Sequence, residues 1–348
     1  MPHRPYRARS PRHRRALPAL VVPVLALGLA ACSGGAAVPT TTPTATATAS
    51  ATPQATFTPL TLDNCGTSVV VDRAPERVIT IKSSPTETML ALGLGDRIIG
   101  TAYRDGPVPD EWAADAAAIP VISEKVPGQE AVLALNPDFV YAGWESNLTA
   151  DGAGDRAGLA GLGIGTYVSP SACKEPGYQP DPLTFDDVFG EIDEVGAVFG
   201  VQARADELVA GLRSDLADVE PVSDVSAFWW SSGTDTPYAG AGIGAPQMVM
   251  AAAGLTNVLA DVHDTWAPAG WEQVIAADPD VLVLVDASWN SFEKKVAYLE
   301  SNPALAQLTA VREHRYISVP FAATEAGVRN VEATATLVDQ VRALGLGG

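Results

Sequence analysis

The chain repeats itself, and the repeat limits what it can fold into. QEAVLALNPDFVYAG (129–143) and WEQVIAADPDVLVLVD (271–286) share one plan: an acid at a helix start, V-[LI]-A, [ND]-P-D, then an apolar run. Pro137 and Pro279 end the helix, and the β-branched and apolar residues after each Asp read as a buried strand. A second pair, SPTETMLALGL (84–94) and APQMVMAAAGL (245–255), has a small residue and Pro at the helix entry, then Met, then Gly-Leu. Pro in the first turn and Gly just past the last are ordinary helix punctuation. The same order of elements twice over predicts two αβ lobes laid end to end.

The spacing of apolar residues fills in the rest. In the first lobe it predicts strands near 68–72, 78–82, 97–101, 138–142 and 165–168, with helices near 84–92, 129–135 and 155–162. In the second it predicts strands near 225–231, 257–259, 280–285 and 315–319, with helices near 245–253, 271–276, 293–299 and 325–343. Such alternation argues for an α/β fold of parallel sheets flanked by helices. Between the lobes, residues 183–219 carry Phe185, Val188, Phe189, Ile192, Val195 and Val198, then Leu208, Leu212 and Leu216, at three- and four-residue spacing. That is one long amphipathic helix bridging the lobes, or two with a break near Gly200. The expected divisions are an N-terminal lobe over 61–182, an interlobe helix over 183–220 and a C-terminal lobe over 221–348.

The first 60 residues are of another kind. Six arginines (Arg4, Arg7, Arg9, Arg12, Arg14, Arg15) precede an apolar run from 16 to 31, the layout of a secretory signal peptide. The run is short of the roughly 20 apolar residues a membrane span wants. It ends in LAACSG, which resembles a bacterial lipobox with Cys32 as the lipidated residue; the plainer alternative is a signal peptide that happens to hold a cysteine. Thr, Ala and Pro dominate 36–59 without a charge, so 32–60 reads as a disordered tether behind a membrane anchor. Removing 1–31 takes six basic residues and no acid, so the formal charge falls from −19 to −25. A surface so acidic repels nucleic acid. With Cys32 lipidated, Cys65 and Cys173 remain as an even pair in an oxidising compartment, and a disulfide between them is expected, with two unpaired thiols as the alternative.

These residues resemble a known family. APERVITIKSSPTETMLALGLGDRIIGT (74–101) and the E-x-x-x-x-[LA]-x-P-D strings are similar to the class III periplasmic binding proteins, which serve ferric-siderophore, cobalamin, haem and related ABC importers. The resemblance runs from Cys65 onward and implies two lobes joined by a bridging helix, a small ligand in the cleft between them, and no catalysis. SEKVPGQEAVLALNPDFVYAGWESNLTADGAG, YVSPSACKEPGYQPDPLTFDDVF and VPFAATEAGVRNVEA look most like the proposed binding proteins for the deazaflavin precursor F420-0. The resemblance also implies permease docking by one glutamate on each lobe, which lands on Glu130 and Glu272. The plainer reading is that an acid in a first helical turn is favoured by the macrodipole anyway.

Ligand candidates come from strand ends, because open αβ sheets bind outside the carboxyl ends of their strands. Trp144, Trp229, Trp230 and Trp289 end or follow predicted strands and suit a flat aromatic or macrocyclic ligand, although some of the seven tryptophans belong to the core. Tyr103 and Glu145 stand beside such ends. Lys82, Ser83, Lys174 and Arg329 are candidates for a carboxylate or phosphate, each individually a plain surface group otherwise. GAGIGAP (240–246), with Gly242 and Gly244, fits either backbone N–H groups offered to an anion at a helix start or a tight turn into Pro246.

Two other functions fit the sequence less well. An exported hydrolase lacks G-x-S-x-G, H-E-x-x-H or any nucleophile-and-base set. Only His263 and His314 follow the leader, which also disfavours a bare zinc or manganese site. A surface interaction lipoprotein without a small ligand does not account for the doubled lobe or the strand-end tryptophans. The expectation is an extracytoplasmic, lipid-anchored, monomeric substrate-binding protein of an ABC importer, with no metal or cofactor. It would capture F420-0 or, alternatively, a ferric siderophore, haem or cobalamin, and would deliver it to permease subunits.

Overall fold

The computed structural model describes residues 57–348. The expected leader, Cys32 and nearly all of the tether lie outside the described residues. The first described element is a hairpin, β1 (Leu60–Asn64) and β2 (Thr67–Val71), closed by the two-residue turn Cys65-Gly66. Both turn residues have positive φ, 52° and 74°, the geometry whose twist suits a two-residue hairpin. Arg156 is buried behind it and donates to Asn64 O (2.7 Å) and Asn64 Oδ1 (2.9 Å), fixing the turn to the lobe.

Lobe one then alternates as β3 (Val78–Ile81), α1 (Ser83–Ala91), β4 (Ile98–Ala102), α2 (Ala113–Ala117), β5 (Val121–Ser123), α3 (Gln129–Leu133), β6 (Phe139–Ala142), α4 (Arg156–Gly161) and β7 (Gly165–Val168). All five sheet strands are parallel, in the order β5-β4-β3-β6-β7. The chain lays down β3, β4 and β5 in one direction and then crosses to the other side of β3. The order therefore reverses between β3 and β6. Both faces are covered: Ile79, Ile81, Val140 and Ala142 pack with Val132 of α3 and Leu159 of α4, and Val78, Phe139 and Tyr141 pack with Met89 of α1 and Ala116 of α2.

The expected bridge is two helices, α5 (Phe185–Val198) and α6 (Gln202–Ala217). They break at Phe199-Gly200-Val201, where Gly200 has φ 68°. Leu183 and Val188 pack in the lobe-two core, whereas Ile192, Val195 and Val198 pack in lobe one. Helix α5 thus runs back toward lobe one, and α6 carries the chain across again to Val219 at lobe two.

Lobe two comprises β8 (Val225–Ser232), β9 (Tyr238–Gly240), α7 (Ala245–Ala252), β10 (Leu255–Asn257), β11 (Trp266–Pro268), α8 (Trp271–Ala277), β12 (Val281–Asp286), α9 (Phe292–Ser301), α10 (Thr309–Arg312), β13 (Tyr316–Pro320) and α11 (Asn330–Ala343). Its sheet keeps the expected parallel core and adds an antiparallel edge. Strands β10, β8, β12 and β13 are parallel, but β9 folds back antiparallel on the end of β8 and β11 pairs antiparallel with β9. The repeat covers only the parallel part, so the added β9–β11 pair carries no sign in it. Helix α11 also begins later than expected, at Asn330, after a short turn of helix at Phe321–Thr324. Among the described residues, no helix is long and apolar enough to cross a membrane.

Candidate functional site

Where the strand order reverses, loops leave for opposite faces and a crevice opens at the strand ends. In lobe one those ends are Lys82, after β3, and Gly143-Trp144, after β6. Lys82 has φ 86° and Tyr103, after β4, has φ 52°, so two non-glycine residues sit in a region that L side chains rarely adopt. Gly143 makes room for Lys82: a Cβ there would lie 2.9 Å from Lys82 Cβ. The Lys82 side chain, 1% exposed, ends in an ion pair with Asp105 and lies 3.7 Å from the Trp144 ring, 4.5 Å from Tyr103 and 4.8 Å from Phe321. Three rings round one ammonium hold it by cation–π attraction.

The carboxylates around this cage are pushed toward their neutral forms. Burial raises Asp105, opposed by Lys82 and by Ser83, whose N–H donates to Oδ2. Burial also raises Glu325, with Asp105 adding and Lys82 opposing. Glu325 accepts from Trp144 Nε1 at 2.5 Å, a hydrogen bond from one lobe to the other. Burial lifts Tyr103 as well, with Asp105 and Glu325 adding.

Lobe two faces this floor with Tyr238 and Trp266, stacked at 6.3 Å and 15°, and with Trp289, set edge-on to Phe321 at 5.7 Å. Gly244 and Ala245 bring the start of α7 to the same wall. A strap from Ser171 to Pro180 closes one side with Ser171, Lys174 and Gln179. Cys65 and Cys173 are joined in a disulfide, Cα atoms 5.2 Å apart, as the cysteine count predicted, and this ties the strap to the β1–β2 turn. Lys174 N donates to Glu145 Oε2 at 2.5 Å and Tyr178 Oη to Asp63 Oδ2 at 2.7 Å. The cleft measures about 400 Å³, within the range of small-molecule sites.

Of the expected ligand residues, Lys82, Tyr103, Trp144, Glu145, Lys174, Gly244 and Trp289 line this cleft. The others are placed elsewhere. Trp229 and Trp230 are fully buried, because β8 has helices on both faces and neighbouring residues enter opposite cores. Ser83 is buried under the floor, bonded to Asp105 through its N–H and its hydroxyl. Gly242 is a turn residue: a Cβ would lie 2.1 Å from the Ala260 carbonyl oxygen. Arg329 is consumed by Glu87 of lobe one, with Nε donating to Oε2 at 2.6 Å and Nη2 to Oε1. Sequence reasoning missed Asp105, Tyr238, Trp266, Phe321 and Glu325. Phe321 and Glu325 lie within VPFAATEAGVRN, but Asp105 has no pattern of its own. Glu130 and Glu272 are exposed in the first turns of α3 and α8, one on each lobe. Among the described residues, no group of three or more His, Cys, Asp or Glu is arranged to hold a metal.

Comparison with known proteins agrees with this architecture. A family model described as periplasmic binding protein matches residues 78–323. The chain is similar to the uncharacterized ABC transporter substrate-binding lipoprotein YvrC of Bacillus subtilis (strain 168), 24% identical over 292 residues, 81% of this chain and 85% of that one. It is also similar to the vitamin B12-binding protein of Yersinia pestis (strain Pestoides F), 27% identical over 61% of this chain and 70% of that one. Among solved structures, the ABC-type Fe3+-hydroxamate transport system from Saccharomonospora viridis DSM 43017 superposes with a TM-score of 0.68. It is 32% identical, covering 81% of this chain and 98% of that one.

Proposed function

Because the chain belongs to the periplasmic binding protein family, we propose that it is the extracytoplasmic substrate-binding component of an ABC importer, held at the membrane through Cys32. The observation that carries this is a single cleft at the strand ends of both lobes, walled by Tyr103, Trp144, Tyr238, Trp266, Trp289 and Phe321. Six aromatic side chains favour a flat conjugated ligand by stacking and edge contacts. The cleft offers no histidine or cysteine side chain, which favours a ligand that brings its own metal already ligated or has none; the tyrosines in its walls are Tyr103 and Tyr238. F420-0, a planar deazaflavin with a phosphate-linked acid, meets this requirement, with its ring among the aromatics and its acid toward Lys174 and the start of α7.

A second reading rests on two observations. Lys82 and Arg329, expected to meet the acid, are already paired with Asp105 and Glu87, and the hydroxamate-system and B12-binding relatives carry other ligands in their names. A ferric siderophore or a corrinoid would use the same aromatic walls. Titrating the purified protein with F420-0, a ferric hydroxamate and cobalamin, read by tryptophan quenching and calorimetry, separates the two. F420-0 should saturate the protein, and Trp144→Ala should weaken it by about 1–2 kcal/mol, the order of one aromatic contact. Saturation by either of the others, with none by F420-0, replaces the ligand and keeps the import role.

Glu130 and Glu272 serve as the docking points for permease cations in this reading. Charge reversal of both to Lys should abolish uptake by cells while ligand binding by the isolated protein is unchanged. Normal uptake by that double variant rejects the docking assignment.

A further inference from the structure

Lys295, on α9, is 1% exposed and has no carboxylate partner among the ion pairs of the described residues. Its ammonium donates to two backbone carbonyls instead, Val285 O at 2.5 Å and Asn290 O at 2.8 Å. Those carbonyls bracket the turn that follows β12. Ala287 and Asn290 pair across it, with Asn290 N donating to Ala287 O at 3.0 Å. Trp289 stands at the tip, 53% exposed, with its ring on Phe321 and one face in the cleft. The same ammonium lies 5.8 Å from the Trp230 ring and 6.0 Å from the Trp289 ring.

A buried cation without an acid is a poor way to stabilise a fold, and an apolar side chain of the same length generally does as well or better. What an ammonium does here, and a methyl group cannot, is hold two carbonyls of one turn at fixed separation. We propose that Lys295 is a positioning residue for ligand recognition, clamping the turn between Val285 and Asn290 so that Trp289 presents its ring to a flat ligand in the cleft. This rests on the reading of the cleft as an aromatic-ligand site. Burial lowers the ammonium to about 8, with Asp286 opposing. Asp286 is the ionisable group that β12 brings to α9; the segment Leu305–Gln307, also packed there, brings none. On α9 itself, Glu293 and Lys294 are exposed, and Tyr298 turns its hydroxyl to Thr234 O. Above about pH 8 the clamp therefore loses its charge.

The test uses purified protein labelled with 5-fluorotryptophan, the Trp289 fluorine line being assigned by its loss in Trp289→Phe. In Lys295→Met that line should shift or broaden, while the melting temperature at neutral pH is equal or higher. In the wild type it should titrate with a midpoint near 8, and in Lys295→Met it should not. Affinity for whichever of F420-0, ferric hydroxamate or cobalamin binds should fall about tenfold in Lys295→Met, matching Trp289→Ala. A Trp289 line with unchanged shift and width in Lys295→Met overturns the clamp. So does an unchanged Kd in Lys295→Met beside a weakened Trp289→Ala. If the wild type binds none of the three probes, the ligand reading fails by itself, and the fluorine spectra still decide the clamp.

Discussion

Glu191 projects from α5 into the lobe-one core, where its Oε1 accepts from Tyr141 Oη at 2.6 Å. Burial is the dominant influence and pushes its carboxyl up to about 7, with the Tyr141 bond opposing. In the unfolded chain the carboxyl titrates near 4.5. Between those values the native state holds the proton more tightly, so this group's contribution is complete below about pH 4.5 and is lost as pH rises through about 7. Glu191→Gln keeps an acceptor for Tyr141 and removes the charge. Its stability, from urea unfolding at several pH values, should match the wild type near pH 4.5 and exceed it by up to about 3 kcal/mol at pH 8. Parallel pH curves for the two proteins would reject the assignment. Single residues were otherwise read with mixed success, for a common reason. Lys82, Trp144 and Trp289 were legible because a strand end announces itself locally. Lys82 and Arg329 as free cations were misread, since their acids, Asp105 and Glu87, lie 23 and 242 residues away. Trp229 and Trp230 were misread because a strand buried on both faces gives no outward side to either.

Elements were the most readable level. The duplicated V-[LI]-A-x-[ND]-P-D string marks α3–β6 and α8–β12, and the second pair marks α1 and α7, all where expected. The break near Gly200 was equally visible, because Phe199-Gly200-Val201 interrupts an otherwise regular apolar stripe. Its consequence was not. Periodicity reports which face of a helix is apolar but not which lobe that face meets, so the reversal between α5 and α6 could not be read from it. The β9–β11 extension was invisible for another reason. Each strand has three residues, too few to show alternation, and the two pair with each other across 26 to 30 positions of sequence. Yet this pair of strands supplies Tyr238 and Trp266, a whole wall of the cleft.

At the scale of the molecule, the lobes are joined by more than helices. Val328 and Val331 of lobe two belong to the lobe-one core, and the Glu87–Arg329 pair also crosses between the lobes, with Arg329 donating in addition to Pro107 O at 2.8 Å. Glu87 is 1% exposed, and burial raises it to about 7 despite the guanidinium beside it. Such a pair is poor at stabilising a fold but costly to break, because the surviving partner is left buried without its hydrogen-bonding counterpart. Arg329→Met alone should therefore lose about 3–5 kcal/mol in urea unfolding at neutral pH, and Glu87→Leu with Arg329→Met should recover most of it. A double variant no better than the single would mean that the pair stabilises on its own account. Because the recovered double retains the Val328 and Val331 anchors, its scattering profile should match the wild type with and without ligand. A larger radius of gyration in the ligand-free double alone would instead make the ion pair a latch that sets how far the lobes open.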